Sequence, residues 1–187
     1  TRSLDEEGIP GHEKLSFNML GHELAPGIMA RRMPITRYYY RYIPQSENIK
    51  GILIQYGGWK QSCEVWEKKS NTTAVADKYG FILITACGSD YGLFSSVFKT
   101  LPGFNAGACC TTADINDVLY TRIILAKENR LRRLPVYGYG YSNGGMMVQT
   151  LLCRKIIDTG VTLNGVMALK SDPESSFEAC DILTLRN

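Results

Sequence analysis

Residues 134–147 read LPVYGYGYSNGGMM, an apolar strand-like run that leads through a Gly-x-Ser-x-Gly turn into a helix-prone segment. Strand, tight turn and helix in this order are the context that a nucleophile elbow requires, with the serine at the tip of a strained turn. Ser142 is therefore a candidate nucleophile. Gly140 and Gly144 flank it because a Cβ at either position is expected to collide with the neighbouring strand or helix. The backbone N–H of Asn143, at the helix start, is a candidate oxyanion donor.

The same stretch has a second interpretation. Glycine-rich strand-to-helix turns also occur in doubly wound nucleotide-binding proteins, which have no nucleophile at that position. Such proteins usually carry a P-loop, or a Gly-x-Gly-x-x-Gly motif that opens the first helix, and this sequence has neither. Nucleotide binding is therefore the weaker hypothesis.

Composition limits the classes of partner. The chain has 187 residues, a net charge of +3 and 44% hydrophobic residues, which are ordinary values for one globular domain. Its basic residues are scattered apart from short clusters, so neither nucleic acid nor an anionic membrane is expected as a partner. The longest apolar runs, residues 52–56 and 81–87, are too short to span a bilayer.

Cysteine and histidine usage argues against a metal site. Six cysteines are present without a Cys-x-x-Cys pair, and there are only two histidines, so neither a metal nor a cofactor is expected. An even number of cysteines allows three disulfides in an oxidising compartment, and residues 71–73 form a glycosylation sequon. We therefore expect a secreted or lumenal protein, with separate thiols as the alternative.

Strand-like and helix-like segments alternate from residue 51 onward. This alternation predicts right-handed βαβ units and a mostly parallel central sheet with helices on both faces. The predicted strands are residues 51–56, 81–86, 134–139 and 163–169, and the predicted helices are 63–78, 112–129 and 144–156. Gly80 is expected to cap the first helix, and Thr112 or Asp114 the second.

The N-terminal part is predicted to be simpler. Residues 14–20 form a short strand, residues 21–34 a loop and residues 36–43 a strand. The chain thus divides into an N-terminal arm with the first short strand, residues 1–35, and an α/β domain over residues 36–187.

Three segments resemble one known family, the branch of α/β-hydrolases that contains polyhydroxybutyrate depolymerase-type esterases and feruloyl esterases. They are residues 104–110 (FNAGACC), the pair Asp117-Val118, and residues 140–147 (GYSNGGMM). The resemblance implies the α/β-hydrolase fold and a serine ester hydrolase that forms an acyl-enzyme on Ser142. It implies no cofactor.

The resemblance also implies an oxyanion hole. One donor is the N–H of Asn143, and the other is an N–H of Gly57, Gly58 or Trp59, after the first buried strand. The family usually has a histidine before these glycines, where this chain has Tyr56. That difference affects the geometry of the loop.

A disulfide pattern follows from the same resemblance. It suggests that the adjacent Cys109 and Cys110 bridge to Cys153 and Cys180. Two cysteines that follow adjacent strands then remain as a third possible pair, Cys63 and Cys87.

The catalytic triad is incomplete in this sequence. In this fold the acid and the histidine follow the serine, but no histidine follows Ser142. His12 and His22 precede the core strands, Asp172 is a possible acid or a loop residue, and Lys170 is a conceivable base. Residues 180–186 resemble the start of a further strand. We therefore expect the base and the acid beyond residue 187, in a continuation of the chain or in a partner subunit.

Two functions remain. The first is a serine ester hydrolase that acts on a small-molecule or polymer-bound ester, such as an aryl ester, a polyester or an acetylated polysaccharide. The second is a catalytically inactive α/β-hydrolase-like subunit that serves as a binding or scaffold protein. Four aromatic residues could line an acyl or aryl pocket, or simply pack: Tyr91, Phe94, Phe98 and Phe104.

Overall fold

The computed structural model describes residues 8–23, 31–89, 101–107, 115–130 and 134–164, with the side chains of 21–23 and 31–33 excepted. The strands are β1 (Glu13–Glu23), β2 (Arg31–Tyr42), β3 (Gly51–Tyr56), β4 (Phe81–Ala86), β5 (Val136–Tyr141) and β6 (Thr159–Leu163). The helices are α1 (Cys63–Ser70), α2 (Thr72–Tyr79), α3 (Asp117–Glu128) and α4 (Asn143–Cys153). No helix in these ranges is long and apolar enough to cross a membrane.

The six described strands form one sheet in the order β1-β2-β4-β3-β5-β6. The β1–β2 and β2–β4 pairs are antiparallel, whereas β4–β3, β3–β5 and β5–β6 are parallel. The chain passes from β3 to β4 on one side and later returns to β5 on the other side of β3. This reversal brings the segments that follow β3 and β5 to the same edge of the sheet, where ligands bind in open α/β folds.

Both faces of the central strands are covered, as their continuous apolar sequences predicted. On one face, Ile52 and Ile54 of β3 belong to the main core with residues of α3 and α4. On the other face, Leu53 packs with Ala76 of α2. The predicted α/β fold class, with a mostly parallel sheet and helices on both faces, is confirmed.

The prediction of a loop over residues 21–34 is wrong at both ends. The β1–β2 ladder continues beyond Leu20↔Pro34 to Glu23↔Arg31. Pro34 is tolerated because β2 pairs with β4 only over residues 39–42, so the missing N–H breaks no bond to β4. The boundary that we drew at residue 35 therefore falls inside β2.

The predicted helix over residues 63–78 is two helices. They are separated by Asn71, which has a φ of 52° and ends α1. Asparagine tolerates this left-handed conformation better than most residues do. Gly80, with a φ of 74°, caps α2 as predicted.

Other boundaries also differ from the prediction: β5 is Val136–Tyr141 rather than residues 134–139, and α4 ends at Cys153 rather than at residue 156. Helix α3 begins at Asp117, and its N-cap is Asn116, whose side chain accepts a hydrogen bond from the Leu119 N–H at 2.8 Å. Thr112 and Asp114 lie outside the described residues. The strand beside β5 is Thr159–Leu163 rather than residues 163–169, of which 165–169 are not described. It was missed because its side chains alternate between exposed and half-buried, without an apolar run.

Candidate active site

Ser142 occupies the turn between β5 and α4 in an unusual backbone conformation. Its φ is 52° and its ψ is −118°, a combination that non-glycine residues rarely adopt. The Ser142 N–H donates to the carbonyl of Leu163 at 2.8 Å, and the Ser142 carbonyl accepts from the Met146 N–H at 3.1 Å. The turn is therefore held by the neighbouring strand on one side and by the first turn of the helix on the other.

The two flanking glycines are required by space, as the sequence predicted. A Cβ on Gly140 would lie 2.3 Å from the carbonyl oxygen of Gly144. A Cβ on Gly144 would lie 2.2 Å from the carbonyl oxygen of Tyr56 and 2.5 Å from that of Gly57. The start of α4 thus rests directly on the end of β3.

The loop after β3 lies beside the serine turn. A Cβ on Gly58 would be 3.0 Å from the Tyr141 ring, so Gly57 and Gly58 are close to the end of β5. The Gly58 N–H donates to the side-chain oxygen of Gln61 at 2.9 Å, and the Gln61 N–H donates back to the Gly58 carbonyl at 3.2 Å. Trp59 is exposed, and the Lys60 ammonium lies 4.4 Å from its ring centroid. Of the three loop candidates, Gly58 already has an acceptor for its N–H.

Asn143 has a role that the sequence did not indicate. Its side chain is buried, accepts a hydrogen bond from the Phe104 N–H at 2.7 Å and donates to the Phe104 carbonyl at 2.9 Å. The sequence predicted only the backbone N–H of Asn143 as a functional group. Nothing local could have revealed a contact with a residue 39 positions away.

The segments that carry the family resemblance contact one another. The buried carboxylate of Asp117 accepts from the Asn105 N–H at 2.6 Å and from the Arg37 guanidinium at 2.7 Å. The Thr150 hydroxyl of α4 donates to the carbonyl of Ala106 at 3.0 Å. Residues 104, 105 and 106 are therefore each bound by a different side chain, those of Asn143, Asp117 and Thr150.

Tyr56, which stands where the family has histidine, belongs to the core. Its hydroxyl lies 2.9 Å from that of Thr121, and complete burial raises its pKa well above the ordinary value. Its ring meets the ring of Phe104 edge-on at 5.1 Å. Phe104 is buried as well, so it packs rather than lining an open pocket.

His12 contacts the N-terminal segment, β2 and α1. Its Nδ1 lies 3.0 Å from the Pro10 carbonyl, its Nε2 lies 3.6 Å from the Glu67 carboxylate, and its ring is 5.0 Å from that of Tyr42. Burial lowers the pKa of His12, but the nearby Glu67 carboxylate and the Pro10 carbonyl outweigh burial, so the pKa is raised. Among the described side chains, none donates to or accepts from the hydroxyl of Ser142.

The disulfide prediction is confirmed for one pair. Cys63, at the start of α1, is bridged to Cys87, which follows β4. Cys153 is also disulfide-bonded, and its partner lies outside the described residues. No described cysteine is free, and no cluster of described histidine, cysteine and acidic residues could hold a metal ion.

Several candidates cannot be placed. The side chain of His22 is not described. The other candidates lie outside the described residues: Asp172, Lys170, Cys109, Cys110, Cys180, Tyr91, Phe94 and Phe98. The candidates that the structure brings together are Ser142, Asn143, Gly57 and Gly58.

Comparison with known proteins identifies the fold. Neither protein-family models nor curated protein sequences match this chain. Among solved structures, a peroxisomal alpha-beta-hydrolase from Saccharomyces cerevisiae matches with a TM-score of 0.55 and 16% identity, over 87% of this chain and 47% of that one. A highly thermostable carboxyl esterase from Bacillus coagulans matches with a TM-score of 0.50 and 13% identity, over 81% of this chain and 44% of that one. The chain spans about half the length of the structures it matches, and it has the α/β-hydrolase fold.

Proposed function

We propose that this chain carries the nucleophile and the oxyanion hole of a serine ester hydrolase. The observation that carries the proposal is the backbone of Ser142, with φ 52° and ψ −118° between a strand and a helix. A residue held in so unfavourable a conformation is a typical sign of a functional site. The adjacent Gly57-Gly58 loop supports the proposal because its main chain lies beside the serine turn, and the Gly58 N–H serves as an oxyanion donor once it leaves Gln61.

The proposed reaction is acyl transfer through Ser142. Its hydroxyl oxygen attacks the ester carbonyl carbon while a general base takes the proton, and the carbonyl oxygen becomes an oxyanion. The N–H of Asn143, which has no intrahelical acceptor at the first position of α4, stabilises that oxyanion together with a loop N–H. The alcohol leaves with the proton, and water then hydrolyses the acyl-enzyme.

The general base is proposed to come from beyond residue 187, in the same chain or in a partner subunit. No histidine follows Ser142 in the sequence, and His12 is engaged by Glu67. Without a base, the serine hydroxyl is a poor nucleophile. Asp172 remains a candidate for the acid.

The proposed substrates are carboxylic esters, either small or polymer-bound, as in feruloyl or polyhydroxybutyrate esterases. Secretion or residence in a lumen is proposed as well. The Cys63–Cys87 disulfide and the bonded Cys153 support it, because disulfides persist in oxidising compartments.

The test uses the full-length protein with p-nitrophenyl acetate and with a fluorophosphonate probe. We expect one phosphonyl adduct by intact mass, and we expect Ser142→Ala to abolish both the adduct and hydrolysis. Ser46→Ala, in the connection between β2 and β3, is the matched control and should retain both. Hydrolysis or labelling that persists in Ser142→Ala would refute the proposal.

A second candidate function is a binding or scaffold subunit without catalysis. It is favoured by the Gly58 N–H, which is already bound to Gln61, and by the absence of a described side-chain partner for the Ser142 hydroxyl. Full-length protein that forms no adduct and shows no Ser142-dependent hydrolysis would rule out the first function, and a stable complex with a partner subunit would then support this one.

A further inference from the structure

We propose that the side chain of Asn143 is a positioning residue that holds the two halves of the oxyanion hole in register. The inference rests on the proposed function. It differs from the donor role of the Asn143 backbone N–H, because it concerns the carboxamide and the segment that the carboxamide binds.

The first half is the serine turn itself. Asn143 follows Ser142 directly, and its carboxamide makes two hydrogen bonds to the main chain of Phe104, at 2.7 Å and 2.9 Å. These two bonds fix the first residue of α4 relative to Phe104, so the start of the helix and the Phe104 segment keep one relative position.

The second half is the loop after β3, and a short path connects it to Asn143. The Lys60 N–H of this loop donates to the Pro102 carbonyl at 2.8 Å, two residues before Phe104. Between them, Gly103 pairs with Ser89 through two backbone bonds, at 2.9 Å and 3.2 Å. Residues 102–104 are therefore tied to the core beside β4, and they transmit the position of Asn143 to the loop.

The chemistry of the contact explains why asparagine is needed. The carboxamide offers one acceptor and one donor in a single plane, which matches a backbone N–H and C=O on one residue. The side chain is fully buried, with 0% exposure, so a variant that removes it leaves the buried Phe104 N–H without its partner and leaves the Phe104 carbonyl with the Ala106 N–H, 3.1 Å away. The substitution Asn143→Asp does not preserve the contact, because a carboxylate cannot donate to the Phe104 carbonyl.

Other bonds to the same segment provide a matched control. The Thr150 hydroxyl, also in α4, lies 3.0 Å from the Ala106 carbonyl, on the far side of Phe104 from Pro102, and 3.0 Å from the Met146 carbonyl of its own helix. Thr150→Val removes a buried hydrogen bond from the same helix to the same segment. It leaves the path from Asn143 to Lys60 intact.

The experiment measures esterase kinetics and amide hydrogen exchange in full-length wild type, Asn143→Ala, Asn143→Ser, Asn143→Asp and Thr150→Val. In Asn143→Ala we expect kcat to fall by about 10- to 100-fold with KM within about 3-fold, since misplaced oxyanion donors act on the transition state. We also expect exchange of the Lys60 amide to accelerate about 10-fold or more, because its acceptor is no longer held in place. Thr150→Val should leave kcat and Lys60 exchange near wild type. Asn143→Asp places a buried carboxylate against the Phe104 carbonyl, so it should lose at least as much as Asn143→Ala. Asn143→Ser, whose hydroxyl can replace only one of the two bonds, should fall between Asn143→Ala and wild type and serves if Asn143→Ala does not fold.

The two proposals fail separately. A wild type without Ser142-dependent hydrolysis removes the proposed function, and Lys60 exchange then decides alone whether Asn143 holds the loop. A folded Asn143 variant whose Lys60 exchange stays within about 2-fold of wild type overturns the inference, whatever its activity. An equal loss of kcat in Thr150→Val would also overturn it, because the effect would then be general destabilisation.

Discussion

Replacement of Gly144 by alanine should destabilise the protein strongly, because the new methyl group would meet only main-chain atoms. It would lie 2.2 Å from the Tyr56 carbonyl oxygen and 2.5 Å from the Gly57 carbonyl oxygen. Carbon and oxygen normally approach no closer than about 3.3 Å, so α4 and the end of β3 would have to separate by about 1 Å. Overpacking of this kind costs about 1–3 kcal/mol, and because the nearest atoms are main-chain atoms that cannot turn away, this site is placed near 3 kcal/mol.

Urea unfolding, followed by far-UV circular dichroism, measures that free energy. Gly8→Ala is the matched control, because its methyl group would meet only the Tyr40 ring at 3.9 Å. We expect the control to unfold within about 0.5 kcal/mol of wild type. A Gly144→Ala variant as stable as the control, with an unchanged m-value, would refute the argument that α4 rests on β3 at this point.

Two further perturbations test the buried charges. Asp117→Ala should lower the free energy of unfolding by about 3–5 kcal/mol in the same urea assay, because it leaves the buried Arg37 guanidinium unpaired. A loss below about 1 kcal/mol would contradict this. Above pH 6.5, the free energy of unfolding of the wild type should fall more steeply than that of His12→Gln. The contribution of His12 to stability is complete below its ordinary pKa of 6.5, and it is lost as the pH rises through the raised pKa of the folded protein. Burial raises the pKa of Glu67, but its hydrogen bonds outweigh burial and lower it, so Glu67 loses its contribution to stability only as the pH falls below 4.5. Parallel plots of unfolding free energy against pH for the two proteins between pH 6 and 9 would therefore count against a His12–Glu67 ion pair.

Local sequence predicted the interior of the sheet well. The bounds of β3 and β4 are those predicted, since a continuous apolar run flanked by turn residues is typical of a parallel strand covered on both faces. It failed at β6, Thr159–Leu163, whose alternating pattern includes a glycine. A Cβ on that glycine, Gly160, would lie 2.5 Å from a methyl group of Val148. Packing against α4 therefore requires glycine at a position where an apolar side chain would have made the strand recognisable in the sequence.

The candidate site divides in the same way. The turn around Ser142 and the need for glycine at positions 140 and 144 could be predicted, because they depend on a few consecutive residues and on backbone sterics. The contacts that fix the turn could not be predicted. The Ser142 N–H binds the carbonyl of Leu163 in the neighbouring strand, and Asn143 binds Phe104 across 39 residues.

The sequence by itself therefore determined the fold class, the position of the strained serine and the cysteines available for the Cys63–Cys87 bridge. These features follow from local composition, from backbone sterics and from the order of strands and helices. Only the tertiary structure decided that the serine turn is bound to the strand of Leu163, that the Tyr56 ring enters the core, and that the Asn143 carboxamide binds Phe104 from a distant loop. The physical reason is that a hydrogen bond needs its partners within about 3 Å, and only folding brings residues so far apart in the chain to that distance.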